Sequence, residues 1–310
     1  MRNESDDFVS ISVLMPAYNE EKYIEAAVSS IFSHVYPSGI SVELVVVDDF
    51  STDATLELLN GIKEKTGWNI RIYSNKEKGK NSAFNLAFLE STGAYICLMG
   101  GDDLIVPSIL TKRAKAVECL LRGREGDDCG VSYCKIKTFS EDSAFDGIVI
   151  PREGKLGSKS GGAIMVSRSL AKLIFPLPEM LPNEDTWISA FLSYKKIAET
   201  HVAEIGLNYR IHSGNSHRRD IGFPEFRIQM WVRARALIYF YARHGASLEH
   251  DQEKKLLLAM IVEIGKYLGW SVAWVFLKDV SWKDKLKAIS QSTRLGYYLK
   301  KKYYKHLVGR

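Results

Sequence analysis

Several features that would each have pointed to a function class are missing from this 310-residue chain. Only four cysteines occur (Cys97, Cys119, Cys129, Cys134), too few and too irregular for a disulfide framework, and no His or Cys pair completes a zinc site beside Cys129 and Cys134. Free reduced thiols are expected. Residues 1–7 carry charge without an apolar stretch, so a secretory signal is not expected there. No apolar run reaches the roughly 18 residues of a spanning helix. The nearest, residues 256–277, contains Glu263 and Lys266. These absences predict a cytoplasmic protein. Low-complexity segments and internal repeats are lacking as well, and a hydrophobic fraction of 46% in a chain of this length supports a sizeable core.

Charge is unevenly spread. From Lys278 onward, ten lysines and arginines stand against Asp279 and Asp284, a surplus of eight. The whole chain has a net charge of only +5, so the remainder is slightly acidic. Such a basic tail attracts phosphate-bearing surfaces. It lacks a nucleic-acid-binding signature, so nucleic acid is not an expected partner.

The first half alternates strand and helix patterns. Residues 9–15, 42–47, 70–73 and 95–99 read as buried strands, and residues 20–32, 54–65 and 80–90 as helices. Asp53 is placed to cap the second helix. Repeated β-α-β units predict an α/β, Rossmann-like, doubly wound and mostly parallel sheet. Ligands of such sheets bind beyond the carboxyl ends of the strands. That rule singles out residues 16–19, 48–53 and 100–103. Further on, residues 109–121 look helical, 131–139, 147–151 and 161–167 look like strands, and a helix begins near Asp185. Beyond Pro224 helical patterns dominate.

Asp102 and Asp103 follow a buried strand in a glycine-flanked turn. Adjacent carboxylates there suit a hard divalent ion on diphosphate oxygens, or else form a solvated turn with a helix cap. Asp48 and Asp49 repeat the arrangement and can accept from a nucleobase N–H or a ribose hydroxyl, or cap the next helix. Asn183-Glu184-Asp185 opens an apolar helix; a carboxylate there is either its cap or a general base. In Tyr209-Arg210-Ile211-His212, Arg210 and His212 alternate as strand residues facing one way. With Ser213, Asn215, Ser216 and His217 they supply donors for phosphate or metal.

Taken together, these segments resemble the family 2 glycosyltransferases of the GT-A fold. The resemblance is carried by residues 13–20 (VLMPAYNE), 43–55 (ELVVVDDFSTDAT), 75–85, 93–96, 183–185 and 209–216 (YRIHSGNS), in order, across roughly residues 8–217. It implies a GT-A catalytic domain over residues 1–222, with a nucleotide-sugar half at about 8–106 and an acceptor half at about 107–222, and a helical, basic C-terminal region over 223–310. It also implies an inverting transfer from a nucleotide diphosphate sugar, a UDP-sugar, to a saccharide or lipid-linked saccharide, of the kind that builds bacterial surface polysaccharide. Pro16, Tyr18, Glu20, Asp49, Lys80 and Asp102 would bind the nucleotide. Asp103 and His212 would hold Mn2+ or Mg2+, and Asp185 would be the base. Glu184, Arg210 and Ser216 would contact diphosphate or acceptor.

Two positions depart from the family pattern: Gly100 replaces its first acid, and Phe84 stands where arginine is common. The competing reading is a catalytically silent nucleotide-sugar-binding protein. A sugar-phosphate nucleotidyltransferase is disfavoured because residues 16–20 contain no glycine, and Gly79-Lys80-Asn81 is not a P-loop. The aromatic and basic residues of 283–310 suit peripheral contact with an anionic membrane, at the inner face of the cell membrane, or packing on the catalytic domain.

Overall fold

The computed structural model describes residues 8–124, 128–212, 221–270 and 282–308. It divides into two compact units. The first comprises residues 1–141, 145–179 and 196–212, and the second comprises 142–144, 180–195 and 213–310.

The first unit holds a sheet of nine strands among the described residues. The β-branched runs fold as expected: β1 (Val9–Ala17), β2 (Ile40–Asp48), β3 (Ile70–Ser74) and β4 (Tyr95–Leu98) lie in the order β3-β2-β1-β4, all parallel. Side chains alternate across a strand, and both faces of β1 are buried. Val9, Ile11, Val13 and Met15 join one core with α1 (Ile24–Phe32), Leu59 of α2 (Thr55–Thr66), and Ile109, Leu110 and Ala114 of α4 (Pro107–Leu121). Buried Ala83, Phe84 and Ala87 of α3 (Lys80–Glu90) lie outside that core, although α3 packs on β1 and β2. Helices therefore cover both faces, as in a doubly wound sheet.

Beyond β4 the sheet becomes mixed. β5 (Leu104–Ile105), β6 (Gly130–Ser140), β7 (Val149–Ile150), β8 (Ile164–Ser167) and β9 (Ala198–Ile211) extend it. β8 pairs antiparallel with β4 and β6, and β9 runs parallel to β6 and antiparallel to β5. The strand expected at 161–167 begins only at Ile164, after a 3-10 turn at Gly161–Ala163. A short helix, α5 (Arg168–Ile174), follows.

A buried polar knot ties β1, β2 and β4 together. Glu43 accepts from Ser12 Oγ at 2.6 Å, Thr92 N at 2.6 Å and Gly93 N at 3.2 Å, and it pairs with Arg71. Burial alone would raise this carboxylate's pKa; the hydrogen bonds from Ser12 and Thr92 and the Arg71 charge outweigh burial and hold it below the ordinary value.

The second unit is helical among its described residues: α6 (Glu184–Tyr194), α7 (Phe223–His244), α8 (His250–Leu268), α9 (Trp282–Ser292) and α10 (Arg294–Val308). Trp187 and Phe191 of α6 pack on Phe240 of α7, with ring centroids at 5.9 and 5.8 Å.

Candidate active site

The loops after β1, β2 and β4 lie side by side, because those strands are neighbours. Asn19 takes a positive φ of 55° and bridges the first two loops: its N–H donates to Ser51 Oγ at 3.0 Å, and its Oδ1 accepts from Thr52 N at 2.8 Å. Glu20 N donates to Thr55 Oγ1, and Glu21 N to Asp53 Oδ2. Asp53 thus serves two loops. Its Oδ1 accepts from Thr55 N at 3.0 Å, while the residue flanking α2 is Ala54, one position later than expected for the cap.

Two groups of side chains form around these loops. In the first, buried Asp49 accepts from Asn75 Nδ2 at 2.7 Å and Gly79 N at 2.8 Å. Asp49 therefore shapes the turn that starts α3 and presents Lys80. Tyr18 is exposed, and Lys78 Nζ lies 3.9 Å from its ring centroid. Pro16 is buried at the end of β1, beside Val47. Phe50, next to Asp49, is exposed at φ 64°, a conformation costly for a bulky side chain.

The second group is acidic. Asp103 is buried, and its Oδ1 accepts from Arg210 N at 2.9 Å. Arg210 Nε donates to Asp102 O at 2.8 Å, and His212 Nε2 lies 3.1 Å from Asp102 Oδ2. Burial, then the charges of Asp102 and Asp53, push Glu20 up to about 8, against the pull of Arg210 and Lys80. Asp103 is raised well above its ordinary value, by burial first and then by the Asp102 charge. An aromatic column braces the group. The Arg210 guanidinium lies 4.3 Å from the ring centroids of both Tyr23 and Phe139, and Tyr23 in turn meets His212 at 5.0 Å.

Gly100 and Gly101 fit this crowding. A Cβ on Gly100 would come within 2.7 Å of Asp102 Oδ1, and one on Gly101 within 3.1 Å of Glu20 Cγ. Phe84 is buried on α3, with Lys80 Nζ 5.7 Å from its ring centroid, so this position serves the core.

Among the described residues, no three His, Cys, Asp or Glu side chains make an all-protein metal cage. The acidic group nevertheless fits a hard cation of the magnesium kind, which takes one or two carboxylates and completes its shell with water and substrate phosphates. Burial first, and neighbouring carboxylates second, raise the pKa values of Glu20 and Asp103.

Glu184 and Asp185 stand on the first turn of α6 in the second unit, Glu184 buried and Asp185 half-buried. Acidic groups there also suit the helix dipole. Ser216, with Ser213, Asn215 and His217, lies outside the described residues.

The first unit thus brings together Glu20, Lys80, Asp102, Asp103, Arg210 and His212, and separately Tyr18 and Asp49. Sequence reasoning missed Tyr23, Phe139, Lys78 and Asn75. Only Lys78 had a visible signal, the basic run Lys76-Glu77-Lys78-Gly79-Lys80 beside a candidate phosphate site.

The acids thus gather beyond three adjacent parallel strands, where open α/β sheets bind their ligands. In a comparison with known proteins, residues 12–120 match the family described as Glycosyl transferase family 2. The probable glycosyltransferase YdaM of Bacillus subtilis is 32% identical over 130 residues. That alignment takes in 41% of this chain and 29% of the relative, so the match spans under a third of the relative's length. Residues 1-349 of Staphylococcus aureus TarS, solved with UDP-GlcNAc, superimpose with a TM-score of 0.58 at 18% identity, over 91% of this chain and 80% of theirs. The mannosyltransferase PcManGT of Pyrobaculum calidifontis, solved with GDP-Man and Mn2+, gives 0.54 at 16%, over 91% and 72%. At these identities the two structures establish the shared GT-A fold.

Proposed function

We propose that the chain is an inverting glycosyltransferase that moves a sugar from a nucleotide diphosphate donor, a UDP-sugar, to the hydroxyl of a saccharide or lipid-linked saccharide. The observation that carries this reading is the convergence of Glu20, Asp102 and Asp103 with Lys80, Arg210 and His212, in a family 2 domain. Residues 8–106 take the donor, and residues 107–222 serve the acceptor.

Asp49 receives the nucleobase, with Pro16 and Tyr18 lining the same pocket, whereas Glu20 stands with the acidic group. Asp102 faces the ribose, and Lys80 and Arg210 supply positive charge for the diphosphate. Asp103 and His212 would hold Mn2+ or Mg2+, whose bound form supplies Lewis-acid neutralisation of the departing diphosphate. Asp185 takes the proton from the attacking hydroxyl, Glu184 and Ser216 contact acceptor or diphosphate, and the anomeric centre inverts in a single displacement. The Mn2+ and GDP-Man of PcManGT and the UDP-GlcNAc of TarS support this type of donor and ion.

The test is a thermal-shift screen of UDP- and GDP-sugars with and without manganese, followed by an assay of nucleoside diphosphate release with saccharide acceptors. Metal-dependent stabilisation by one donor class is expected, because a ligand of the folded state raises apparent stability. No shift with any donor would overturn the reading. Binding without release would favour the silent protein, which Gly100 supports. Asp185→Asn is expected to lower turnover about 100-fold or more with donor binding retained; unchanged turnover would remove Asp185 from the mechanism.

A further inference from the structure

The C-terminal helices carry a surface that glycosyl transfer does not use. α9 places its larger apolar residues at Trp282, Leu286 and Ile289, spacings of four and three that form a single stripe. A helix folded onto a protein body normally turns such a stripe inward. α9 does the reverse. Trp282 and Leu286 are 65% and 62% exposed and Ile289 is half-buried, whereas Lys285, Ala288, Gln291 and Ser292 are buried. Gln291 lines a small cleft with Trp231, Glu263, Lys266 and Tyr267 of α7 and α8.

The neighbouring helices of the second unit also carry exposed apolar residues. On α10, Tyr297 turns inward: its hydroxyl donates to Ile221 O at 2.8 Å and its ring meets Phe226 at 4.7 Å. Leu295 and Leu299, four apart, are 72% and 59% exposed, with Tyr298 exposed beside them. On α8, Leu257, Ile261 and Leu268 are exposed at helical spacing, and Trp270 is exposed just beyond.

Composition and charge identify the occupant. Three of the six tryptophans lie in residues 270–282, and four of the fifteen tyrosines in 297–304. Trp and Tyr favour the bilayer–water boundary, where the ring is half in apolar surroundings and its polar edge stays wet. The surplus of eight positive charges from Lys278 onward complements anionic headgroups. Among the described residues, no helix is long and apolar enough to cross a membrane. An apolar stripe, boundary aromatics and basic flanks together are the marks of a helix lying in the interface. We propose that α8, α9 and α10 form a membrane-docking face that seats on anionic phospholipid, with Trp282, Leu286, Leu295 and Leu299 entering the headgroup boundary. This proposal stands apart from the transfer reaction, and its readout is binding alone.

The experiment is co-sedimentation of the full chain with vesicles of phosphatidylcholine, and of phosphatidylcholine with an equal part of phosphatidylglycerol. Wild-type protein should pellet with the anionic vesicles. Replacing all four named residues with serine should cut partitioning more than about tenfold. Arg294→Gln with Lys302→Gln should cut it about fivefold for each charge removed, with the remainder weakened by salt. Thermal melts verify that both variants fold. Brominated phosphatidylglycerol should quench the tryptophan emission of the unmodified protein, a readout that needs no variant. Wild-type protein left in the supernatant, equal partitioning of the serine variant, or absent quenching would each overturn the proposal. So would a self-association of the wild type that the serine variant abolishes without vesicle binding, which would make this face a protein interface.

Discussion

At Gly100 the missing acid has a local reason. The place where its side chain would begin is taken by the Asp102 carboxylate, and three acids already crowd the turn. Gly100→Asp should therefore weaken manganese-dependent donor binding instead of restoring a fuller family motif; a larger thermal shift in the variant would contradict this. Glu20 gives a pH prediction. Its pKa is about 8 in the folded chain against an ordinary 4.5, so the fold holds an extra proton between those values. The stabilisation is complete below about 4.5 and lost as pH rises through 8. Asp103 acts in the same direction. Metal-free protein should consequently melt lower at pH 8 than at pH 6, and Glu20→Gln should flatten that slope in a pH series of melts. On the proposed function manganese would displace these protons, so its own thermal shift should be larger at pH 8. Phe50 adds a separate test. Exposed and held at φ 64°, it should gain about 1 kcal/mol of stability on replacement by glycine.

Among the elements, the knot around Glu43 sets the spacing of β1, β2 and the start of β4. Removing a buried, paired carboxylate leaves its donors stranded, and Glu43→Ala should cost about 3 kcal/mol in denaturant unfolding. Gly93→Ala should also destabilise, because its Cβ would meet Ser12 N at 2.6 Å and backbone cannot step aside. The parallel half of the fold was legible in sequence because its strands are continuous apolar runs and α1 buries Ile24, Ala27, Val28 and Ile31 at helical spacing. β9 was legible only at its last residues. Its earlier stretch, from Ala198 to Glu204, is half-exposed and mixes polar with apolar positions, and bulges interrupt its pairing with β6. The antiparallel joins of β8 hinge on register with β4 and β6, which no local pattern encodes. The acids of the site were readable because each follows a strand. The rings around Arg210 were not, since Tyr23, Phe139 and Arg210 come from three segments without a shared motif.

For the whole molecule, the division into two compact units has a calorimetric consequence. Heating should give two transitions, and donor with manganese should move the one belonging to the first unit, by about 2.7 kcal/mol at a hundredfold excess over Kd. A single transition shifted as one block would show that the units unfold together. The stack of Phe139, Arg210, Tyr23 and His212 has a different reach. Its rings are packed in a chiral setting beside the carboxylates, so Tyr23 can serve as an intrinsic optical reporter. On the proposed function, a donor or ion bound at Asp102 would lie one residue away from that chromophore, through His212, and its binding should change the near-ultraviolet circular dichroism without any label.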